Sequence, residues 1–118
     1  MSPHNPKTLR ASAGSLFRVP YLHGLDSAAA RAALEGSRIA LFAAMPAASA
    51  TATRPLAATD LTGRCALIVG NEAHGASAIW RAAAAPVSIP TVGVESLNAA
   101  IAAGILLYEA RRQRMLRP

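Results

Sequence analysis

Residues 67–75 read LIVGNEAHG. Three aliphatic side chains run into Gly70, and then Asn71 and Glu72 follow, so an apolar run ends on a charge. Extended towards the N-terminus, the run is RCALIVG, residues 64–70, which reads as a continuous buried strand of the parallel-sheet type. Working outward, the segment ASAIWRAAA after it reads as a short helix. APVSIP, bracketed by prolines, reads as a further short strand.

Upstream, Asp26 is a good N-cap for SAAARAALEG, an alanine-rich helix closed by Gly36. SRIALFAAM follows as a strand with Ile39, Leu41 and Phe42 as its apolar content. Residues 46–60, PAASATATRPLAATD, form a small-residue connection with two prolines, expected to be loop with a turn of helix. Nearer the start, RVPYLHGLD reads as a brief strand and loop. The longest helix is expected over residues 96–114, SLNAAIAAGILLYEARRQR. Ser96 would cap it, and Leu97, Ile101, Gly104, Ile105 and Tyr108 would form one stripe. Strands and helices alternate, which argues α/β with a mainly parallel sheet.

The 118 residues suit one domain, taken as 1–118. Hydrophobic content is 53%, yet alanine is the commonest residue. Alanine buries little area, so the Leu, Ile and Val clusters must supply the core. Formal net charge is +6, and of the 12 basic residues all but Lys7 are arginine. The planar guanidinium suits phosphate, and Arg111, Arg112, Arg114 and Arg117 crowd one end. One cysteine, Cys65, excludes an internal disulfide framework and reads as a buried structural thiol in a reduced, cytoplasmic chain. No run is long and apolar enough to span a bilayer.

Taken singly, the polar candidates have plain readings. Gly70 fits a turn and Glu72 a helix-start carboxylate or ion pair; capping accounts for Ser96 and Asn98. His74 has no second ligand at metal spacing, so no metal is expected. GNEAHG is neither a dinucleotide fingerprint nor a P-loop, and a serine-hydrolase elbow is absent.

Jointly they are more telling. GNEAHG, then IP…G…ESLNAAIAAGILLYEARRQR, then NPKTLRASAGSLFRVP at the start, resemble the SpoU (TrmH-like) branch of the SPOUT RNA methyltransferases over essentially the whole chain. The resemblance implies an α/β fold with helices on both faces of a mainly parallel sheet and a C-terminal trefoil knot. It implies S-adenosylmethionine as cofactor, with Gly70, Ile89 and Leu97 lining its pocket. It implies transfer of a methyl group to a ribose 2′-hydroxyl of tRNA or rRNA, with Glu72, Ser96 and Asn98 as the polar catalytic set. In that set Glu72 would orient an arginine, while Ser96 and Asn98 position substrate and loops. A homodimer built on the last helix is also implied, with the Leu97 to Tyr108 stripe as the contact.

The family's first motif, Asn-x-Gly followed by an arginine on a helix, would precede NPKTLR and is not in these 118 residues. The expectation is therefore an N-terminally truncated SPOUT domain. Its alternative function is a non-catalytic RNA- or cofactor-binding or dimerisation remnant.

Overall fold

The computed structural model describes residues 5, 7, 10, 18–46, 52–70, 78–92 and 97–116. Helix α1 spans Ser27–Gly36 and leads into strand β1, Ala40–Ala44. After a connection come the two-residue strand β2, Arg54–Pro55, and a 3-10 turn, Leu56–Ala58. Strand β3 is Cys65–Ile68, helix α2 is Ala78–Ala83, strand β4 is Ala85–Ser88, and helix α3 is Ala99–Leu116.

The four strands form one sheet in the order β2-β4-β1-β3, and every pair is parallel. The alternation of strand and helix forces this, because a parallel partner requires the chain to return to the starting edge. Each connection between consecutive strands crosses at least one strand, and the link from β2 to β3 passes both β4 and β1. The link from β3 through α2 to β4 passes β1, and the link from β1 to β2 passes β4. Pro86 is tolerated inside the sheet because β2 pairs with β4 only from Val87 onward, so no ladder donor is lost beside it.

Side chains alternate between two apolar layers, as the pleat requires. On one face Leu41 and Ala43 of β1 and Ala66 and Ile68 of β3 meet Leu34 of α1 and Trp80 and Ala83 of α2. On the other, Phe42, Ala44, Cys65, Leu67 and Val87 meet Leu56, Leu61 and the α3 residues Leu106 and Ala110. Helices therefore cover both faces, as expected. Arg31 ties α1 to α2 by donating from Nη1 to the Ile79 carbonyl at 3.1 Å. The two buried polar side chains of the described residues are satisfied: Thr53 Oγ1 donates to Ser88 Oγ at 2.9 Å, and Thr59 Oγ1 to the Pro55 carbonyl at 3.0 Å.

Several expectations need correction. The segment RVPYLHGLD carries no strand. Pro20 has no N–H to donate, Gly24 turns the backbone with φ 74°, and Asp26 caps α1 through Ala29 N–H at 3.2 Å. The connection of residues 46–60 holds β2 as well as the anticipated helical turn. Strand β3 is not fully buried. It lies at the edge of the sheet with every residue half-buried, and Cys65 with them. Composition gave no means of ranking strands by position in the sheet.

The stripe named as a candidate dimer contact is not the face that seats α3 on the sheet. Ala102, Leu106 and Ala110 are buried, whereas Ile101, Ile105 and Tyr108 face outward, Tyr108 with 72% of its surface exposed. The first half of α3 is apolar on nearly every side, so spacing alone admits two stripes a residue apart.

Arg38 follows α1 with φ 56°, a left-handed conformation in which glycine or asparagine is usual after a helix. For a residue with a Cβ this costs roughly 1 kcal/mol.

The C-terminal half of α3 is fixed to the loop before β3. Gln113 Oε1 accepts from Leu61 N–H at 2.7 Å, while its Nε2 donates to the Thr59 carbonyl at 2.8 Å. Arg114 donates from Nε to the Leu61 carbonyl at 3.1 Å and from Nη2 to the Gly63 carbonyl at 2.7 Å. Leu61 is wholly buried, so its N–H finds no water once Gln113 is gone. Gln113→Ala should lower unfolding free energy by about 1–3 kcal/mol, read by urea titration. The neighbouring exposed Arg111→Ala should change it by less than about 0.5 kcal/mol.

Candidate active site at the carboxyl edge of the sheet

The parallel strands all point their carboxyl ends at one edge, where loops gather and where open α/β sheets bind ligands. Gly70 follows β3 by two residues and Ile89 follows β4 directly. In the sheet order these strands flank β1, so their ends stand about 10 Å apart. Helix α3 is about 27 Å long and runs opposite to the strands, since its last turns bond to the loop that enters β3. Its first residues therefore lie at the carboxyl edge, and Leu97 and Asn98 arrive there with it.

Gly70 is half-buried and offers backbone without a Cβ to keep a ligand away. Ile89 is half-buried against the apolar layer that contains Val87 and Leu106. Leu97 is half-buried and Asn98 exposed. The cap of α3 belongs to Asn98: its Oδ1 accepts from Ala100 N–H at 2.8 Å and from Ile101 N–H at 3.4 Å. With the oxygen engaged, the side-chain NH2 remains as a donor held in one orientation. Glu72, Ser96 and His74 lie outside the described residues. The sequence reading of Asn98 as a cap and as a site residue thus concerns two different ends of one amide.

The arginines at the end of α3 do not act alike. Arg112 forms a two-pronged ion pair with Glu109, Nε to Oε1 at 2.6 Å and Nη2 to Oε2 at 2.9 Å. Gln113 Nε2 adds a bond to the same carboxylate at 2.9 Å. These donors, Arg112 foremost and then Gln113, lower the Glu109 pKa from an ordinary 4.5 to about 2. Arg114 is engaged with the loop carbonyls described above, and its Nη2 lies 3.8 Å from Cys65 Sγ. The structural use of Gln113 and Arg114 was not anticipated. Its only signal in the sequence was a glutamine among arginines late in a helix. An open groove of about 390 Å³ beside these residues is lined by Thr59, Asp60, Thr62, Arg112 and Gln113 among others. It lies beside the last turns of α3, away from Gly70 and Asn98. Among the described residues there is no cluster of three or more His, Cys, Asp or Glu side chains. No described helix is long and apolar enough to cross a membrane.

A family model described as the SpoU rRNA Methylase family matches residues 1–108. The chain belongs to the SpoU methylase family. Among its relatives, an uncharacterized tRNA/rRNA methyltransferase of Synechocystis sp. is 38% identical over 97% of this chain and 41% of its own length. A 23S rRNA (uridine(2479)-2'-O)-methyltransferase of Streptomyces viridochromogenes is 38% identical over 95% of this chain and 40% of its own. Among solved structures, the SpoU methyltransferase AviRb of Streptomyces viridochromogenes, in complex with AdoMet, superposes with a TM-score of 0.85 at 34% identity. That match covers 98% of this chain and 47% of AviRb. An AdoMet-bound rRNA methyltransferase of Sinorhizobium meliloti gives 0.81 at 30% identity, covering 95% of this chain and 42% of that one. The chain spans less than half the length of these relatives.

Asn98→Ala should cost about 1 kcal/mol in unfolding free energy through loss of the cap, whereas Asn98→Ser, which keeps an accepting oxygen, should recover most of it. The depressed Glu109 pKa has its own signature. A carboxyl held below its unfolded value adds stability above that value, and the gain is lost as pH falls through the folded one. The Glu109 contribution should thus be full above about pH 4.5 and gone near pH 2. Acid unfolding of Glu109→Gln, followed by circular dichroism, should show a shallower fall in stability across that window.

Proposed function

We propose that the chain is the cofactor-binding portion of an S-adenosylmethionine-dependent RNA ribose 2′-O-methyltransferase acting on rRNA or tRNA. The observation that carries this reading is the convergence of Gly70, Ile89, Leu97 and Asn98 on the carboxyl edge. They come from motifs separated by some twenty residues of chain, and the sheet order together with the direction of α3 brings them to one end. Family membership and the AdoMet named in two solved relatives support it.

The residues present suit such a cofactor. A glycine lets main-chain groups approach, two half-buried aliphatic side chains offer apolar walls for a purine, and an anchored amide donates a hydrogen bond. The bound cofactor supplies an electrophilic methyl group on a sulfonium. Around it, Gly70 admits the ligand to the backbone, and Ile89 and Leu97 exclude water. Asn98 holds its NH2 towards the acceptor ribose or the adjoining loop. Glu72 and Ser96 would complete the polar set, with Glu72 orienting an arginine from outside these 118 residues that would polarise the 2′-hydroxyl. That hydroxyl is a weak nucleophile until its proton is drawn away. The chain ahead of α3 would pass through an earlier loop to form the trefoil knot of the SPOUT fold. The location is the cytoplasm, where such RNA substrates lie.

The outward stripe of Ile101, Ile105 and Tyr108 supports a homodimer, because three large apolar or aromatic side chains at helical spacing stay partly to largely exposed among the described residues. Sedimentation should give a dimer, and Tyr108→Glu should convert it to monomer.

Calorimetry with S-adenosylmethionine tests the main reading. Gly70→Val, which puts a branched side chain where the ligand approaches, should weaken binding at least tenfold, about 1.4 kcal/mol. Incubation with labelled cofactor and bulk rRNA or tRNA should yield 2′-O-methylated RNA. Binding without transfer, by this chain and by a version extended upstream, would instead identify a non-catalytic remnant. Absence of both rejects the assignment.

A further inference from the structure

The opposite, amino edge of the sheet carries a cluster of arginines that the methyl-transfer site does not use. Arg38 stands just before β1 and Arg64 just before β3, and these strands are neighbours: the Ala40 N–H donates to the Arg64 carbonyl at 3.1 Å. Arg114 reaches the same loop through Leu61 and Gly63, and so fixes the end of α3 there. Arg111 lies one helical turn from Arg114 and shares its side of α3. Arg38, Arg64 and Arg111 are all exposed, and none of their guanidinium groups makes a hydrogen bond or ion pair with the described residues. The acidic side chains nearby are otherwise engaged. Glu109 is held by Arg112, Glu35 by Arg31, and Asp60 accepts from the Thr62 N–H and hydroxyl. The edge therefore keeps a surplus of positive charge with free guanidinium donors.

Arg38 adds a second, independent sign. Its left-handed backbone would be relieved by glycine or asparagine, yet an arginine stands there. A strained residue whose side chain has no partner among the described residues points to something that side chain meets outside them.

We propose that this edge is a second contact for the RNA phosphate backbone, remote from the nucleotide that is methylated. The inference rests on the RNA-methyltransferase reading above. Guanidinium groups bind phosphate oxygens in pairs, and three unpaired forks beside one loop suit a backbone rather than a base. Thirteen residues of α3 separate Asn98 from Arg111, and six of β3 and its flanks separate Arg64 from Gly70, so the two edges stand roughly 20 Å apart and a folded RNA can engage both.

Binding of folded rRNA or tRNA to the chain, titrated at several salt concentrations, tests this beside calorimetry with S-adenosylmethionine. Replacing Arg38, Arg64 and Arg111 together by glutamine should lower the slope of log affinity against log salt by roughly 2–3 and leave cofactor affinity unchanged. A control with Arg18, Arg54 and Arg81 replaced carries the same net charge and should lose clearly less. Equal losses in the two variants overturn the proposal, because net charge alone would then explain them. Cofactor binding with no measurable RNA binding by the unaltered chain also overturns it while sparing the methyltransferase reading. Failure to bind cofactor rejects that reading instead. Arg38→Asn is the sharpest single change: RNA affinity should fall while the thermal midpoint holds or rises. A fall in both would make Arg38 structural and the proposal wrong.

Discussion

Gln113 accepts from one buried N–H and donates to one carbonyl of the same short loop, and much of the arrangement depends on that pair of hydrogen bonds. It fixes the C-terminal half of α3 along its axis against the entry to β3. Arg114 repeats the attachment a residue later, on Leu61 and Gly63. A helix is stiff along its length, so holding one end sets where the other end arrives. Asn98 and Leu97 reach the carboxyl edge of the sheet because residues some fifteen positions further on are tied to the amino edge. The site is thus positioned by interactions that lie nowhere near it.

The same geometry divides the polar chemistry of the chain between two ends. At one, a glycine, aliphatic walls and the helix-capping Asn98 suit a ligand with an apolar ring that main chain can approach. At the other, guanidinium groups are either built into the structure, as Arg112 and Arg114 are, or without a partner among the described residues, as Arg38, Arg64 and Arg111 are. Counting arginines in the sequence treats these alike. Only their partners separate a cation that closes a loop from one that remains able to meet phosphate.

Much was legible beforehand because it depends on local pattern. RCALIVG and SRIALFAAM carry strand content, Asp26 caps a helix, and APVSIP is bracketed by prolines, and each forms the expected element. The resemblance carried by GNEAHG and ESLN led to the family the comparisons show. What failed depended on neighbours. An apolar run such as 64–70 looks the same in the centre of a sheet and at its edge, and β3 turned out to be an edge strand. The face of α3 that packs on the sheet, Ala102, Leu106 and Ala110, was not singled out, because a helix that is apolar all round offers two stripes of equal spacing. RVPYLHGLD had strand-forming residues, but no partner strand was set beside it.

By itself the sequence determined the main helices and strands, that the strands run parallel, and the family to which the chain belongs. Those follow from side-chain period, caps and motif order, which are properties of residues close together along the chain. The tertiary structure alone decided the order β2-β4-β1-β3, the face of α3 that is buried, and the gathering of Gly70, Ile89, Leu97 and Asn98 at one edge. Each of those is a choice among partners distant in sequence. It is made by which apolar surfaces fit together and by which buried donors, such as the Leu61 N–H, find an acceptor.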